Sequence, residues 1–479
     1  MYLGLDLGTS GLKGVVIDAD QRILAEATAP LSVTRPQSGW SEQNPADWLA
    51  AAETVMTALA AQRDLKDVRG MALSGHMHGA TLLGGADNVL RPCMLWNDTR
   101  SYRQAARLDG DPQWRALSGN IVFPGFTAPK VAWVRDNEPE VWEKTFKILL
   151  PKDYLRLWLT GEAVSEMSDA AGTSWLDTGK RDWSDALLTA SGLSRDHMPR
   201  LVEGSEVSGH LRDTLAMRWG LPKGVVVAGG AGDNAAAAVG MGVVKPGQAF
   251  ISLGTSGVLF AASASYQPDA PSAVHSFCHA LPETWHQMGV ILACTDALNW
   301  YAQLVGSDAN ALTQGLGALE PPSETLFLPY LGGERTPHND AAARGAFLGL
   351  SHATDQTAAT RAVLEGVSFA FKDCHDALAS TGTQINSLVA VGGGSKSDYW
   401  LSLLATVLDM PIDVPRDGDF GGAFGAARLA QMAATGAGAE LATAPATART
   451  IAPQPALQEA FSARHHQYRS AYQALKEAL

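Results

Sequence analysis

Leu7-Gly8-Thr9-Ser10-Gly11 recurs unchanged as Leu253-Gly254-Thr255-Ser256-Gly257. In both places the pentapeptide joins two short apolar runs: Tyr2 to Asp6 and Gly14 to Asp18 around the first copy, Ala249 to Leu253 and Val258 to Ala261 around the second. Glycine and small hydroxyl residues between strand-like runs predict a hairpin tip, with backbone N–H and hydroxyl groups facing outward. Such a tip is either an ordinary turn or a phosphate cradle. Donors without side-chain bulk favour the cradle.

The copies differ in what precedes them, Asp6 in the first and Ser252 in the second. Only the first offers a carboxylate to a cation. At the end of a buried strand, Asp6 either caps its turn or holds Mg²⁺ whose other ligands are water and phosphate oxygens. Lys13 either reaches a phosphate or stands in solvent.

A chain of 479 residues, 46% hydrophobic and 18% charged, suits two large lobes. With 36 basic and 49 acidic side chains, its net charge of −13 repels polyanions, so nucleic acid is excluded as a partner. Cys93, Cys278, Cys294 and Cys374 are scattered, which excludes a disulfide framework or zinc ribbon. Met1 leads directly into a strand pattern without a basic leader, and the uncharged run 246–268 is broken by Gly, Ser, Thr, Gln and Pro. A cytoplasmic protein with no membrane partner is expected.

Ile23 to Ala27 extends the opening into an antiparallel meander, followed by a helix with Asn44 as N-cap and Pro45 in its first position. Val68 to Ser74 reads as a buried strand entering Gly75-His76-Met77-His78-Gly79, a glycine-bounded loop suited to a small polyol or to a metal pair. Val225 to Ala228 is a strand that leads through Gly229-Gly230-Ala231-Gly232-Asp233-Asn234 into an alanine-rich helix. That turn formally matches a dinucleotide fingerprint, but the Asp233 carboxylate would repel pyrophosphate. Asp233 is instead a general base for a hydroxyl, or a plain N-cap.

Leu388 to Val391 predicts a strand running into Gly392-Gly393-Gly394, where backbone can approach adenine or ribose closely. His275, Cys278 and His279 lack a helical zinc signature, Trp40, Trp48 and Trp133 read as core, and neither a P-loop nor a hydrolase elbow occurs. The Ala/Thr/Pro-rich tail from about Thr435 is given no chemistry.

Together these motifs resemble the FGGY carbohydrate kinases across essentially the whole chain. The resemblance also rests on Gly39-Trp40-Ser41-Glu42-Gln43-Asn44-Pro45, Leu95-Trp96-Asn97-Asp98, Gly125-Phe126-Thr127-Ala128-Pro129-Lys130, Leu150-Pro151-Lys152-Asp153-Tyr154, Ser168-Asp169-Ala170-Ala171-Gly172-Thr173 and Gly333-Glu334-Arg335-Thr336-Pro337. It implies an α/β fold of two actin-like, ribonuclease H-like domains, residues 1–243 and 244–479, with sugar and ATP meeting in the cleft between them. It further implies Asp233 as base, Asp6 supporting Mg²⁺-ATP, and Met77, His78, Asp233 and Asn234 at the sugar. Thr9, Lys13, Gly254 and Thr255 fall at the phosphates, and Gly393, Gly394 and Asp398 toward adenosine. The implied acceptor is D-xylulose, with L-ribulose, glycerol, gluconate or a non-kinase actin-fold ATPase as alternatives, and a homodimer is a family expectation. Two departures stand out: Ala358-Ala359 in the signature that begins at Gly345, and His76 where similar members carry glutamine.

Overall fold

The computed structural model describes residues 1–416 and 421–478, and its frame is two seven-stranded sheets, each built around one copy of the pentapeptide. In the first sheet, Tyr2–Leu7 pairs antiparallel with Gly11–Ile17, which pairs with Ile23–Pro30. On the other side Tyr2–Leu7 runs parallel to Gly70–Gly75, followed by Val226–Ala228 and Val207–His210, with Ala231–Gly232 beside the end of Gly70–Gly75. The second sheet repeats the plan. Gln248–Leu253 pairs antiparallel with Gly257–Ser263 and parallel to Ser387–Val391. Trp285–Ile291 and His275–Cys278 continue one side, Ile412–Pro415 and Thr447–Ile451 the other.

Alternation decides what each face of the first sheet covers. Leu3, Leu5 and Leu7 are fully buried against Trp48, Val55 and Leu59 of the helix Pro45–Gln62, each such side chain contributing about 1.5–3 kcal/mol. Asn44 caps that helix as expected, its side chain accepting a hydrogen bond from Ala46 N at 3.1 Å. Tyr2, Val15 and Ile17 on the opposite face pack against the helix Gly422–Thr435, which arrives from the far end of the chain. The approach is close enough to exclude side chains: a Cβ on Gly4 would lie 1.9 Å from Ala423 O, and one on Gly425 1.8 Å from Ala236 O. The helix Gly422–Thr435 therefore wedges against both a strand of the first sheet and the helix Asp233–Met241.

One face of the second sheet packs under the helices Thr295–Leu304, Gln356–Ser380 and Asp398–Leu408. Its other face, with Phe250, Phe260 and Met288, joins a cluster containing Trp114, Val122 and Phe126 from the first half. The helix Pro455–Ala478 buries Phe461, Tyr468 and Tyr472 in the second half. The strand Thr447–Ile451 lies within the Ala/Thr/Pro-rich tail, whose composition does not predict it; ladder pairing with Ile412–Pro415 supplies it, since its own side chains are mostly exposed. All four cysteines are free and buried. Among the described residues no helix is long and apolar enough to cross a membrane.

Trp48 is core, but Trp40 and Trp133 are not. Both are half-buried and hold the Arg100 guanidinium, 3.5 Å from the Trp40 ring and 5.1 Å from that of Trp133. The attraction of a cation to an aromatic face keeps them at the surface of the first half.

Candidate active site

Register brings three turns to one end of the first sheet. Leu7, Gly75 and Gly232 stand side by side on adjacent parallel strands. The segments that leave them, the first hairpin tip, the loop 76–79 and Asp233, therefore open at the carboxyl ends of those strands, where sheets of this kind bind ligands.

Asp233 is the first helical residue after Gly232 and is not an N-cap. Its Oδ1 accepts from Asn234 N at 2.7 Å and from Asn234 Nδ2 at 3.0 Å. Burial, and after it the negative charge of Asp6, push the Asp233 carboxyl up to about 6 despite those two bonds. A base near that value is ionised at neutral pH yet holds a proton well enough to take one from a hydroxyl.

The backbone beneath Asp233 is anchored by charges the sequence reading left without a role. Gly232 N donates to Ser168 Oγ at 3.0 Å, and Ser168 Oγ donates to Glu166 Oε2 at 2.8 Å. Glu166, Asp153 and Asp169 surround the fully buried Lys152 Nζ at 3.3, 2.7 and 3.2 Å. Burial raises the Asp169 carboxyl well above its usual range, against the pull of Lys152. Lys152 and Arg156 are the cations set among these three acids, and such pairing is the condition under which buried charges are tolerated.

His78 has φ of +71°, a strained value for a side chain of its size. Its carbonyl accepts hydrogen bonds from Thr127 Oγ1 at 3.1 Å and Lys130 Nζ at 2.9 Å, which hold the loop in that conformation. His78 Nδ1 donates to Gly172 O at 2.7 Å, fixing the tautomer that leaves Nε2 as an acceptor. Burial pulls the ring down to about 3, so it is neutral and can accept a sugar hydroxyl. Met77 fills the space between Gly232 and Gly172, either of which would press a Cβ against it at 3.0 Å or less.

His76, the first residue of this loop, is 3% exposed, its ring 6.0 Å from that of Trp48. The histidine pairs weighed as metal sites separate: His275 Nδ1 donates to Asn120 Oδ1 at 3.4 Å and His279 Nε2 to Val243 O at 3.1 Å. Asp373, Asp376 and His465 are the cluster of metal-like spacing among the described residues, and Arg469 already occupies it as counter-ion.

Of the phosphate-turn residues, Thr9 is half-buried and its Oγ1 accepts from Trp96 Nε1 at 3.0 Å, which leaves the Thr9 hydroxyl proton available to a ligand. Lys13 is the cross-strand partner of Asp6 and therefore shares its face; its Nζ lies 3.5 Å from Glu26. At the second tip Thr255 and Ser256 are exposed, and Gly254 O accepts from Thr295 N at 2.9 Å and Thr295 Oγ1 at 2.8 Å. Gly393, Gly394 and Asp398 line a cavity of about 730 Å³ together with Thr295, Asn299 and Gln314. Asp398 is exposed and paired with Arg449 at 2.6 Å.

The family model for the N-terminal domain of the FGGY family of carbohydrate kinases matches residues 1–240, and the model for its C-terminal domain matches 249–434. The xylulose kinase of Escherichia coli (strain K12) is 50% identical over 410 residues, 85% of this chain and 84% of that protein. The xylulose kinase of Lactococcus lactis subsp. lactis (strain IL1403) is 39% identical over 418 residues, with 85% and 83% covered. Among solved structures, a xyloylose kinase from Brucella ovis has a TM-score of 0.98 at 58% identity over all of both chains. The xylulose kinase from Rhodospirillum rubrum has 0.93 at 27% identity over 99% of each.

Proposed function

The chain belongs to the FGGY family of carbohydrate kinases, and we propose from that premise that it transfers the γ-phosphoryl group of ATP to D-xylulose, giving D-xylulose 5-phosphate and ADP. The observation that carries this reading is Asp233, held near pH 6 beside Asp6 and next to the Met77-His78 loop. The fold is the expected pair of actin-like α/β domains. We assign sugar binding and the first phosphate hairpin to residues 1–243, nucleotide binding and the second hairpin to 244–479.

In this reading His78 Nε2 accepts from a sugar hydroxyl, while Met77 sets the sugar against the turn of Gly232. Asp233 accepts the proton of the terminal hydroxyl, whose oxygen forms a bond to the γ-phosphorus as the bond to the bridging oxygen of ADP breaks in line. Backbone N–H groups of both hairpin tips, with Thr9 and Thr255, oppose charge on the equatorial oxygens, and Lys13 adds a cation on the face of Asp6. Gly393, Gly394 and Asp398 receive the adenosine end. Positioning supplies most of such catalysis.

The donor set fits Mg²⁺. The negative charge of Asp6 raises the cost of ionising Asp233, which a cation between them would offset, and Gly422 presents no side chain to the Asp6 carboxyl, where a Cβ would lie 2.8 Å away. Asp6 would hold the ion, largely through water; when bound, it neutralises phosphate charge. The free, buried cysteines support a reducing cytoplasm.

A coupled ADP-release assay over D-xylulose, L-ribulose, glycerol and gluconate, run beside Asp233→Asn, tests acceptor and base together. D-Xylulose should give the highest kcat/KM. Full activity in the variant would sink the mechanism.

A further inference from the structure

Arg335 lies in the Gly333-Glu334-Arg335-Thr336-Pro337 segment, to which the reaction as derived gives no part. Its guanidinium carbon sits 4.3 Å over the Phe123 ring, and its Nη1 donates to His275 Nε2 at 3.3 Å. His275 is neutral, burial holding it well below its ordinary value, and its Nδ1–H is committed to Asn120 Oδ1 at 3.4 Å. Asn120 therefore sets the imidazole, and the imidazole sets the guanidinium. Only one of the five N–H donors of Arg335 is used this way.

The charge of Arg335 has little local compensation. Among the described residues the carboxylate whose field it feels is that of Glu334. Both hydrogen bonds to Glu334 Oε1 come from backbone, Leu292 N at 3.0 Å and Arg335 N at 2.7 Å, and burial pushes that acid up to about 8. A half-buried guanidinium among aromatic rings, with no carboxylate bonded to it among the described residues, is an incomplete arrangement that oxygen atoms of a ligand would complete.

Contacts order the residues from the reacting centre outward. Asp233 follows Gly232, which seats Met77; Met77 and His78 both lie on Gly172. The His78 ring stacks on Phe126 at 4.4 Å, Phe126 meets Phe123 at 5.7 Å, and Phe123 carries Arg335. Arg335 is also close enough to act electrostatically on His78. In this series of contacts Arg335 comes after His78, two aromatic rings further from Gly232 and Asp233, and it comes from the second half of the chain.

We propose that Arg335 is a substrate-contacting residue at the distal end of the acceptor site, its guanidinium gripping the ketone oxygen and the adjoining hydroxymethyl group of the ketose. This rests on the D-xylulose reading, in which the hydroxyl facing Asp233 is on C5 and the carbonyl end is remote from it. A planar fork of donors matches two neighbouring oxygens better than the point charge of lysine can. The residue thereby separates ketoses from the corresponding polyols, whose distal end has lost the carbonyl acceptor.

The test uses Arg335→Lys and Arg335→Met in the full-length protein, with initial rates on D-xylulose and xylitol and a separate ATP titration. The expected result for Arg335→Met is a D-xylulose KM raised at least 30-fold, with kcat changed less than about fivefold and the KM for ATP within twofold of wild type. Arg335→Lys, which retains charge and bulk, should show a KM raised about tenfold and tests the proposal even where the methionine variant does not fold. The preference for D-xylulose over xylitol should shrink in both. A D-xylulose KM within threefold of wild type in the lysine variant, or ATP and sugar constants rising together, would overturn the assignment in favour of a structural bridge between the halves. Wild type is assayed first. Turnover of a polyol in preference to D-xylulose would reject the acceptor reading and the carbonyl contact, whereas Arg335 itself is then judged by the same KM-against-kcat split on that polyol.

Discussion

Asp6 and Asp233 stand on opposite sides of the strand Gly70–Gly75, Asp6 in register with Ser74 and Asp233 directly after Gly232, the partner of Gly75. The negative charge of Asp6 is, after burial, the second cause that lifts Asp233 to about 6. The charge of one acid thus makes ionisation of the other costly in the protein alone.

That cost has a measurable sign. Between its ordinary value of 3.8 and about 6, folded Asp233 holds a proton that the unfolded chain has released. Its contribution to stability is full below that window and is lost as pH rises through about 6. Asp233→Asn should therefore stabilise the ligand-free protein in EDTA at pH 7.5, by about 1–3 kcal/mol, with the gain gone near pH 4. Denaturant melts at the two pH values check this; equal effects at both would contradict the assigned shift.

The same substitution should lower kcat by at least about 10²–10⁴-fold, the usual contribution of a positioned base, with little change in either KM. In the wild type, kcat/KM should fall tenfold per pH unit below about pH 6, where Asp233 becomes protonated. A flat acid limb down to pH 5 would exclude Asp233 as the base.

Lys130→Met removes a donor to His78 O at 2.9 Å and leaves Thr127 alone to hold the strained backbone. Burial pulls the Lys130 ammonium down to about 7, so near neutral pH losing this hydrogen bond costs about 1.5 kcal/mol. The D-xylulose KM should rise about tenfold or more while the KM for ATP stays near wild type. Isothermal titration with sugar alone separates this from an effect on turnover.

Trp96→Phe removes the indole N–H that points at Thr9 Oγ1 from 3.0 Å. The Thr9 hydroxyl is then free to turn its proton away from the phosphate. A neutral hydrogen bond is worth about 0.5–1.5 kcal/mol, so kcat/KM for ATP should drop about 2–10-fold. An unchanged value would show that Thr9 is held by its backbone alone.

Much of the frame was legible because local chemistry dictates it. Asn44-Pro45 starts its helix, and the glycine-hydroxyl tips turn both hairpins. Asp6 and Asp233 could be singled out because the first stands at the end of a strand just before a turn and the second follows a strand directly. Ser168, Lys130 and Arg335 lay inside quoted motifs, but their partners are 64, 52 and 60 residues away, and no local pattern reports such meetings. Trp40 and Trp133 misled because apolar neighbours in sequence do not reveal a cation arriving from Arg100. The edge strand Thr447–Ile451 escaped notice because its ladder partner, not its composition, creates it.

The helix Gly422–Thr435 has a consequence for the protein as a divisible object. Although the chain divides into successive halves, residues 1–243 produced alone would bare the sheet face carrying Tyr2, Val15 and Ile17. Residues 244–479 would carry an alanine-rich helix with no sheet to lie on. Neither fragment is expected to be well behaved by itself, yet the close fit at Gly4 and Gly425 gives each a specific reason to recognise the other. Co-expressed fragments should co-purify and recover ATP-dependent activity, and a bulky residue at Gly425 should abolish that reunion. The molecule is in this sense an interlocked pair, closed by the returning helix.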